Sequence, residues 1–272
     1  MKLKVALCIS GQMRTFEACC PNLKKYIIDP LNADIFIHTW ANNGISTKAK
    51  KEEKANFSDE KVTQTVLKKL YHPKIAVIEE YKDSYSEALN GVKVPAILKK
   101  EESQHYKGAI PMFYKMYKCN ELRRRYEIEN NRRYDLVIRL RPDLMINEEI
   151  PSHVLQQWDI LWFSDCKVNI AFQVSDKFAI SNSVNMDYYC SVWTLLPQYW
   201  ENPLGDGEWK NYRVGERLMK THMEQSGIEF KPFSMSCDIC RETYQPGTKV
   251  AKKPSSRLNM SERLKTFMPI KR

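Results

Sequence analysis

The sequence predicts an α/β protein with a mixed central sheet flanked by helices. Short apolar runs bounded by turn residues recur along the chain, and longer segments with helical periodicity lie between them. A length of 272 residues at 43% hydrophobic content supplies a full core. Strands that alternate with helices cannot all be joined by hairpins, so the sheet is expected to be mainly parallel or mixed and covered on both faces.

The elements follow in order. KLKVALCIS is an apolar run ending at Ser10-Gly11, a buried first strand and a turn. FEACCPNLKKYIIDPL predicts a helix, with Pro21 near its N-terminal turn and Pro30 beyond its end. ADIFIHTW is a second strand, and the lysine-rich segment 41–61 reads as a surface loop. Val62, Val66 and Leu70 recur at helical spacing, and KIAVIEEY is a third strand. Residues 81–106 show no clean period and read as a long loop of the kind that serves function. A helix is expected from Gly108 to Asn130, with Phe113, Met116, Tyr117 and Asn120 on one face and Arg123, Arg124 and Arg125 near its end. YDLVIRL is a fourth strand, WDILWFS and DKFAIS are two more, and IEFKPFS is the last. Before that last strand, NSVNMDYYCSVWTLLPQYW and YRVGERLMKTHMEQSG are helices, the second stopped by Gly227.

Charge divides the chain into a domain over residues 1–250 and a basic tail over 251–272. The formal net charge is +10. The tail contributes seven basic residues (Lys252, Lys253, Arg257, Arg263, Lys265, Lys271 and Arg272) against Glu262, or +6. In the tail, Asn259 offers an N-cap with Glu262 three residues on, and Leu264, Phe267 and Met268 share a helical face. Such a segment is either a solvated terminal helix or a peripheral anchor on anionic membrane. No compact basic-aromatic motif lies elsewhere, so nucleic acid is not an expected partner.

No run approaches the roughly 18 apolar residues of a membrane span, and MKLKVALCIS turns polar too soon for a signal peptide, so a cytoplasmic protein is expected. The eight cysteines lack the spacing of a secreted disulfide framework and fit a reducing compartment. Cys237 and Cys240 form a CxxC, but no second CxxC or HxxxH follows, and an ordinary loop is expected there rather than half a zinc site.

Ligands of open α/β sheets gather beyond the carboxyl ends of the strands. After the first strand, Ser10-Gly11 permits close backbone approach, Arg14 can pair with phosphate, and the next helix offers free N–H groups. After the second stand His38 and Trp40. In the fourth, YDLVIRLRPDLMI, Arg139 and Arg141 share strand parity and point to one face. Buried without anionic company, two guanidiniums would be costly, so they belong either to an internal ion-pair network or to a site that holds phosphates.

Five segments in order, KVALCISGQMRTF, ADIFIHTW, YDLVIRLRPDLMI, DKFAISNSVNMDYY and GERLMKTHMEQSGIEF, resemble a group of bacterial and viral glycosyltransferase-like proteins linked to polysaccharide synthesis. The resemblance covers about residues 2–233 and implies a GT-A-like, Rossmann-type nucleotide-sugar-binding fold. It implies a nucleotide-sugar donor and a glycan or lipid-linked acceptor. Metal-dependent GT-A enzymes hold Mn²⁺ or Mg²⁺ on a DxD motif at a central strand end. This chain has no DxD triplet, and at the matching RLRPD the one candidate metal ligand is Asp143. Cationic side chains are then expected to neutralise the leaving diphosphate.

The resemblance places Ser10, Gly11, Gln12, Arg14 and Thr15 at the nucleotide end, and Asp176 and Glu216 at the sugar or acceptor. The general base of an inverting transfer is left open among Asp143, Asp176 and Glu216. Trp193, Tyr199, Trp200 and Trp209 read either as core or as a sugar-stacking platform. His105, Tyr106 and Lys107 are further candidates for contact with the donor. Alternatives are transfer of another group such as sulfate from a nucleotide donor, and a non-catalytic basic nucleic-acid-binding or scaffold protein.

Overall fold

The computed structural model describes residues 3–42, 61–80, 106–166, 168–171, 173–201 and 215–240. All of them fall within the unit Met1–Glu242. The basic tail and the helix expected in it lie outside the described residues.

Seven strands form one sheet in the order β3-β2-β1-β4-β7-β6-β8. β1 (Val5–Gly11), β2 (Asp34–Trp40), β3 (Ile75–Glu79) and β4 (Leu136–Leu140) are mutually parallel. β7 (Phe178–Ser181) runs antiparallel to both β4 and β6 (Leu161–Ser164), and β8 (Phe230–Phe233) is parallel to β6. The chain builds outward from β1 through β2 and β3, then crosses to β4 on the other side. That reversal makes the carboxyl ends of β1 and β4 the topological switch point, the place where open α/β sheets form their ligand crevice. A separate two-stranded ribbon pairs β5 (Leu144–Ile146) with β9 (Cys237–Ile239).

Alternation along the strands sends side chains to two covered faces. On one, Ala6, Cys8, Phe36, Val137 and Ala179 pack against α3 (Tyr106–Glu129), α5 (Ser183–Cys190), α6 (Val192–Glu201) and α7 (Gly215–Glu224). On the other, Leu7, Ile9, Ile37, Ile138 and Ile180 pack against α1 (Phe16–Leu23), α2 (Gln64–Tyr71), the short α4 (Ser152–Gln156) and the β5–β9 ribbon. Helices on both faces of a mixed sheet make the architecture Rossmann-like. Among the described residues no helix is long and apolar enough to cross a membrane.

Local chemistry moves several boundaries. Pro21 lies inside α1, and the helix widens into a π-turn at Lys24–Ile28 before a last turn at Asp29–Leu31 that contains Pro30. A proline removes one donor from the i→i−4 ladder, and such interruptions are where helices widen. The helix expected through residues 182–200 is two, because the Ser191 hydroxyl and N–H both bond the Tyr188 carbonyl and end α5. In α2, capped by Thr63, Leu67 and Tyr71 are buried, whereas Val66 and Leu70 are only partly so. The strands β5 and β9 and the helix α4 have no counterpart in the sequence reading.

Candidate functional site

The crevice is built first by the turn after β1. Gly11 ends the strand at φ +120°, a conformation that strains residues with a side chain, and the Thr39 hydroxyl holds its carbonyl at 2.8 Å. Arg14 follows, also left-handed at φ 45°, and sends Nη1 to Asp143 Oδ2 (2.9 Å) and Nη2 to Gln12 Oε1 (2.9 Å). From the end of β4, Arg141 folds back onto the same carboxylate, with Nε to Oδ1 at 2.9 Å and Nη2 to Oδ2 at 2.8 Å. The Asp143 side chain is fully buried. Burial pushes its carboxyl upward, but Arg141 and Arg14 outweigh that and hold it below the usual carboxylate range.

This triad carries two cations on one anion, and both oxygens of Asp143 are occupied. In this geometry Asp143 is the counter-ion of both arginines. Among the described residues no group of three or more His, Cys, Asp or Glu is arranged to hold a metal ion.

Arg139 differs from Arg141 despite their shared parity. It lies opposite Cys8 on the face covered by α3, at 0% exposure. Its Nε reaches Ser10 Oγ at 3.4 Å, a weak contact, while Nη1 and Nη2 are buried with no partner. Such a guanidinium costs ~1–3 kcal/mol for each donor left unmade. Asp176, which precedes β7 and is 6% exposed, has an unpartnered Oδ1. Burial and then Glu216 push its carboxyl pKa up, against Lys177, Arg141 and Arg139.

α7 shapes the surroundings of Asp176. A Cβ on Gly215 would lie 3.4 Å from Asp176 Oδ2 and 3.3 Å from Met112 Cε, so glycine lets the carboxyl approach this helix start closely. Glu216, in the first turn, accepts from Lys177 Nζ at 3.1 Å. The Tyr189 hydroxyl donates to the Ser175 carbonyl at 2.6 Å and fixes the segment that carries Asp176 and Lys177.

Beside the crevice, the carboxyl ends of β2 and β3 hold a second cluster. Lys115 of α3 is fully buried, with Nζ 2.7 Å from Glu79 Oε2 and 3.5 Å from the centre of the Trp40 ring. Burial pushes its pKa down to about 8 although Glu79 opposes the shift. The Tyr114 hydroxyl donates to Glu79 Oε1 at 3.2 Å, and His38 Nε2 lies 3.6 Å from the same oxygen. Burial, then Lys115 and Lys118, lower the His38 pKa to about 2, which keeps its ring neutral. Its Nδ1 is buried without a partner.

Ser10, Gly11, Gln12, Arg14, His38, Arg139, Arg141, Asp143, Asp176 and Glu216 therefore converge on the carboxyl edge of one sheet. The Thr15 hydroxyl donates to the Cys240 carbonyl at 2.8 Å. Trp193 and Tyr199 are core residues, with the Tyr199 hydroxyl 2.6 Å from His222 Nδ1. Trp209, His105 and the side chains of Trp200, Tyr106 and Lys107 lie outside the described residues. Sequence reasoning missed Glu79, Tyr114 and Lys115. Glu79 closes β3, a parallel strand whose carboxyl end the same crevice rule reaches. No protein-family model matches the chain, and no curated protein matches it.

Proposed function

We propose that this protein is a glycosyltransferase that takes a sugar from a nucleotide-sugar donor to a glycan or lipid-linked acceptor, with the donor diphosphate bound between the carboxyl ends of β1 and β4. The observation that carries this reading is Arg139, a fully buried guanidinium at the crevice whose two terminal nitrogens have no partner. A planar fork of N–H donors matches a phosphate oxygen pair. The turn at Ser10-Gly11 and the start of α1 supply backbone approach beside it.

In the proposed reaction the bond from the anomeric carbon to the diphosphate oxygen breaks, and negative charge grows on the leaving group. The buried Arg139 and the Arg14–Asp143–Arg141 triad together set a net positive field on that charge. The acceptor hydroxyl attacks the anomeric carbon and gives its proton to Asp176, whose raised proton affinity suits a base. Guanidiniums already saturate Asp143, so the residues present do not fit a divalent metal, and charge neutralisation is assigned to arginine. The basic tail is assigned to anionic membrane, where a lipid-linked acceptor resides.

Titration calorimetry with a panel of nucleoside diphosphates and nucleotide sugars tests the reading. A donor that binds the parent chain is expected to lose at least ~10-fold in affinity in Arg139→Ala, and less in Arg139→Lys. Equal affinity in the parent and Arg139→Ala would remove the proposed role. Binding of nucleotide-linked sulfate in place of nucleotide sugars would move the assignment to sulfate transfer.

A further inference from the structure

The CxxC of β9 does not act as one unit. All eight cysteines are thiols in this structure, and Cys237 and Cys240 reach different parts of the fold. The Cys166 thiol lies 2.5 Å from the Cys237 carbonyl, and the Ser164 hydroxyl touches both residues, 3.7 Å from Cys237 Sγ and 3.1 Å from the Cys166 N–H. At the other end, the Thr15 hydroxyl lies 3.8 Å from Cys19 Sγ and donates to the Cys240 carbonyl at 2.8 Å. Each pair is thus bracketed by a single hydroxyl residue. Each buried thiol is pushed up first by the side chain of its partner, Cys19 by Cys240 and Cys237 by Cys166.

Each pair has the same asymmetry. Cys166 and Cys240 are partly exposed, whereas Cys19 and Cys237 are buried. The remaining cluster, Cys8, Cys119 and Cys190, is buried throughout, and so is Cys20. Each β9 pair therefore has one partly exposed residue, and the core cluster has none.

We propose that Cys19–Cys240 and Cys166–Cys237 are two cross-link sites, in which a low-molecular-weight disulfide converts each thiol pair into a protein disulfide that ties β9 to α1 and to the end of β6. The exposed thiol, as thiolate, attacks one sulfur of the reagent, whose S–S bond breaks and releases one small thiol. The buried partner then gives up its proton, attacks the sulfur of the mixed disulfide and expels the second small thiol. Two protein thiols lose two protons and two electrons, and the reagent gains both as two thiols. The partner thiol and then burial push Cys19 and Cys237 up, so the resolving step is slow at neutral pH and quickens as pH rises. What the cross-links would hold in place includes the triad, because the Cys240 N–H bonds the Asp143 carbonyl at 2.8 Å.

The test is incubation of the full chain with oxidised glutathione at pH 7 and pH 8.5, followed by alkylation, digestion and peptide mapping by mass spectrometry. Cross-linked peptides joining Cys19 to Cys240 and Cys166 to Cys237 are expected, faster at the higher pH, with Cys8, Cys119 and Cys190 alkylated only after unfolding. The oxidised chain should melt roughly 5–15 °C higher than the reduced one, since both links close long loops. Cys19→Ser should abolish the first cross-link and keep the second. A Cys237–Cys240 disulfide, intermolecular pairing, or the absence of both peptides would overturn the proposal, and each is read on the parent chain even if the variant fails to fold.

Discussion

Arg123 and Arg139 are both sealed from solvent, at opposite ends of the strands, and their surroundings could hardly differ more. At the amino edge, Arg123 is saturated. Its Nη1 donates to Glu127 Oε2 at 2.7 Å, its Nε and Nη2 donate to Asn120 Oδ1 at 3.1 and 2.9 Å, and Nη2 also pairs with Asp187. Glu127 in turn accepts from the Tyr134 N–H and the Ser183 hydroxyl through Oε1, at 2.8 and 2.9 Å. At the carboxyl edge, Arg139 has one long contact and two terminal nitrogens with none. Equal burial of the same residue type therefore separates a group that holds the fold from one whose bonding capacity is left for something else.

The sharpest way to break that comparison is to remove each side chain and measure stability. Arg123→Ala should cost about 3–5 kcal/mol in urea unfolding, because it takes the cation from the buried Glu127 carboxylate and one of the partners of Asp187. A loss below 1 kcal/mol would mean that the amino-edge network is not structural. Asp143→Asn should cost less, about 2 kcal/mol at pH 7, since its arginines are partly solvated. Its pH dependence has a definite sign. The folded pKa of Asp143 lies below the ordinary value, so its contribution is present above pH ~4 and disappears as pH falls through the folded pKa. The acid loss of stability in the parent chain should be visibly flattened in Asp143→Asn.

Arg139→Met should leave stability unchanged or raise it by about 1 kcal/mol, because it removes donors that were never satisfied. A fall comparable to that of Arg123→Ala would show that the two arginines share one role. Lys115→Met should act through the pH dependence of stability. With the folded pKa lowered to about 8 against 10.5, the unfolded chain binds more protons between those values. Stability of the parent should therefore rise with pH across that window, and the variant should lack the rise.

The strands β1, β2 and β4 were legible because strands buried on both faces read as continuous apolar runs. β5 and β9, three residues each, are too short to show a period. Arg123 read as a charge near a helix end, and its burial was invisible because Asp187 lies on another helix, far along the chain. Parity grouped Arg139 with Arg141, and the turn at Pro142 separates them by folding Asp143 back onto Arg141 alone. Ser10 and Arg14 followed from the crevice rule and the alternation of strands and helices, whereas Asp176, which precedes its strand, entered only through the family resemblance. Lys115 did not, since a lysine inside a helix reads as solvated until the strand ends that enclose it are known.

The antiparallel course of β7 has a consequence for how such a fold can diversify. Because this strand enters the sheet at the carboxyl edge, Asp176 and Lys177 arrive on the segment leading into it, independently of the turns that follow β1 and β4. Changes of length or composition between β6 and β7 can therefore shift the acidic partner while the cationic half stays in register. One reversed strand gives the edge two separately adjustable halves.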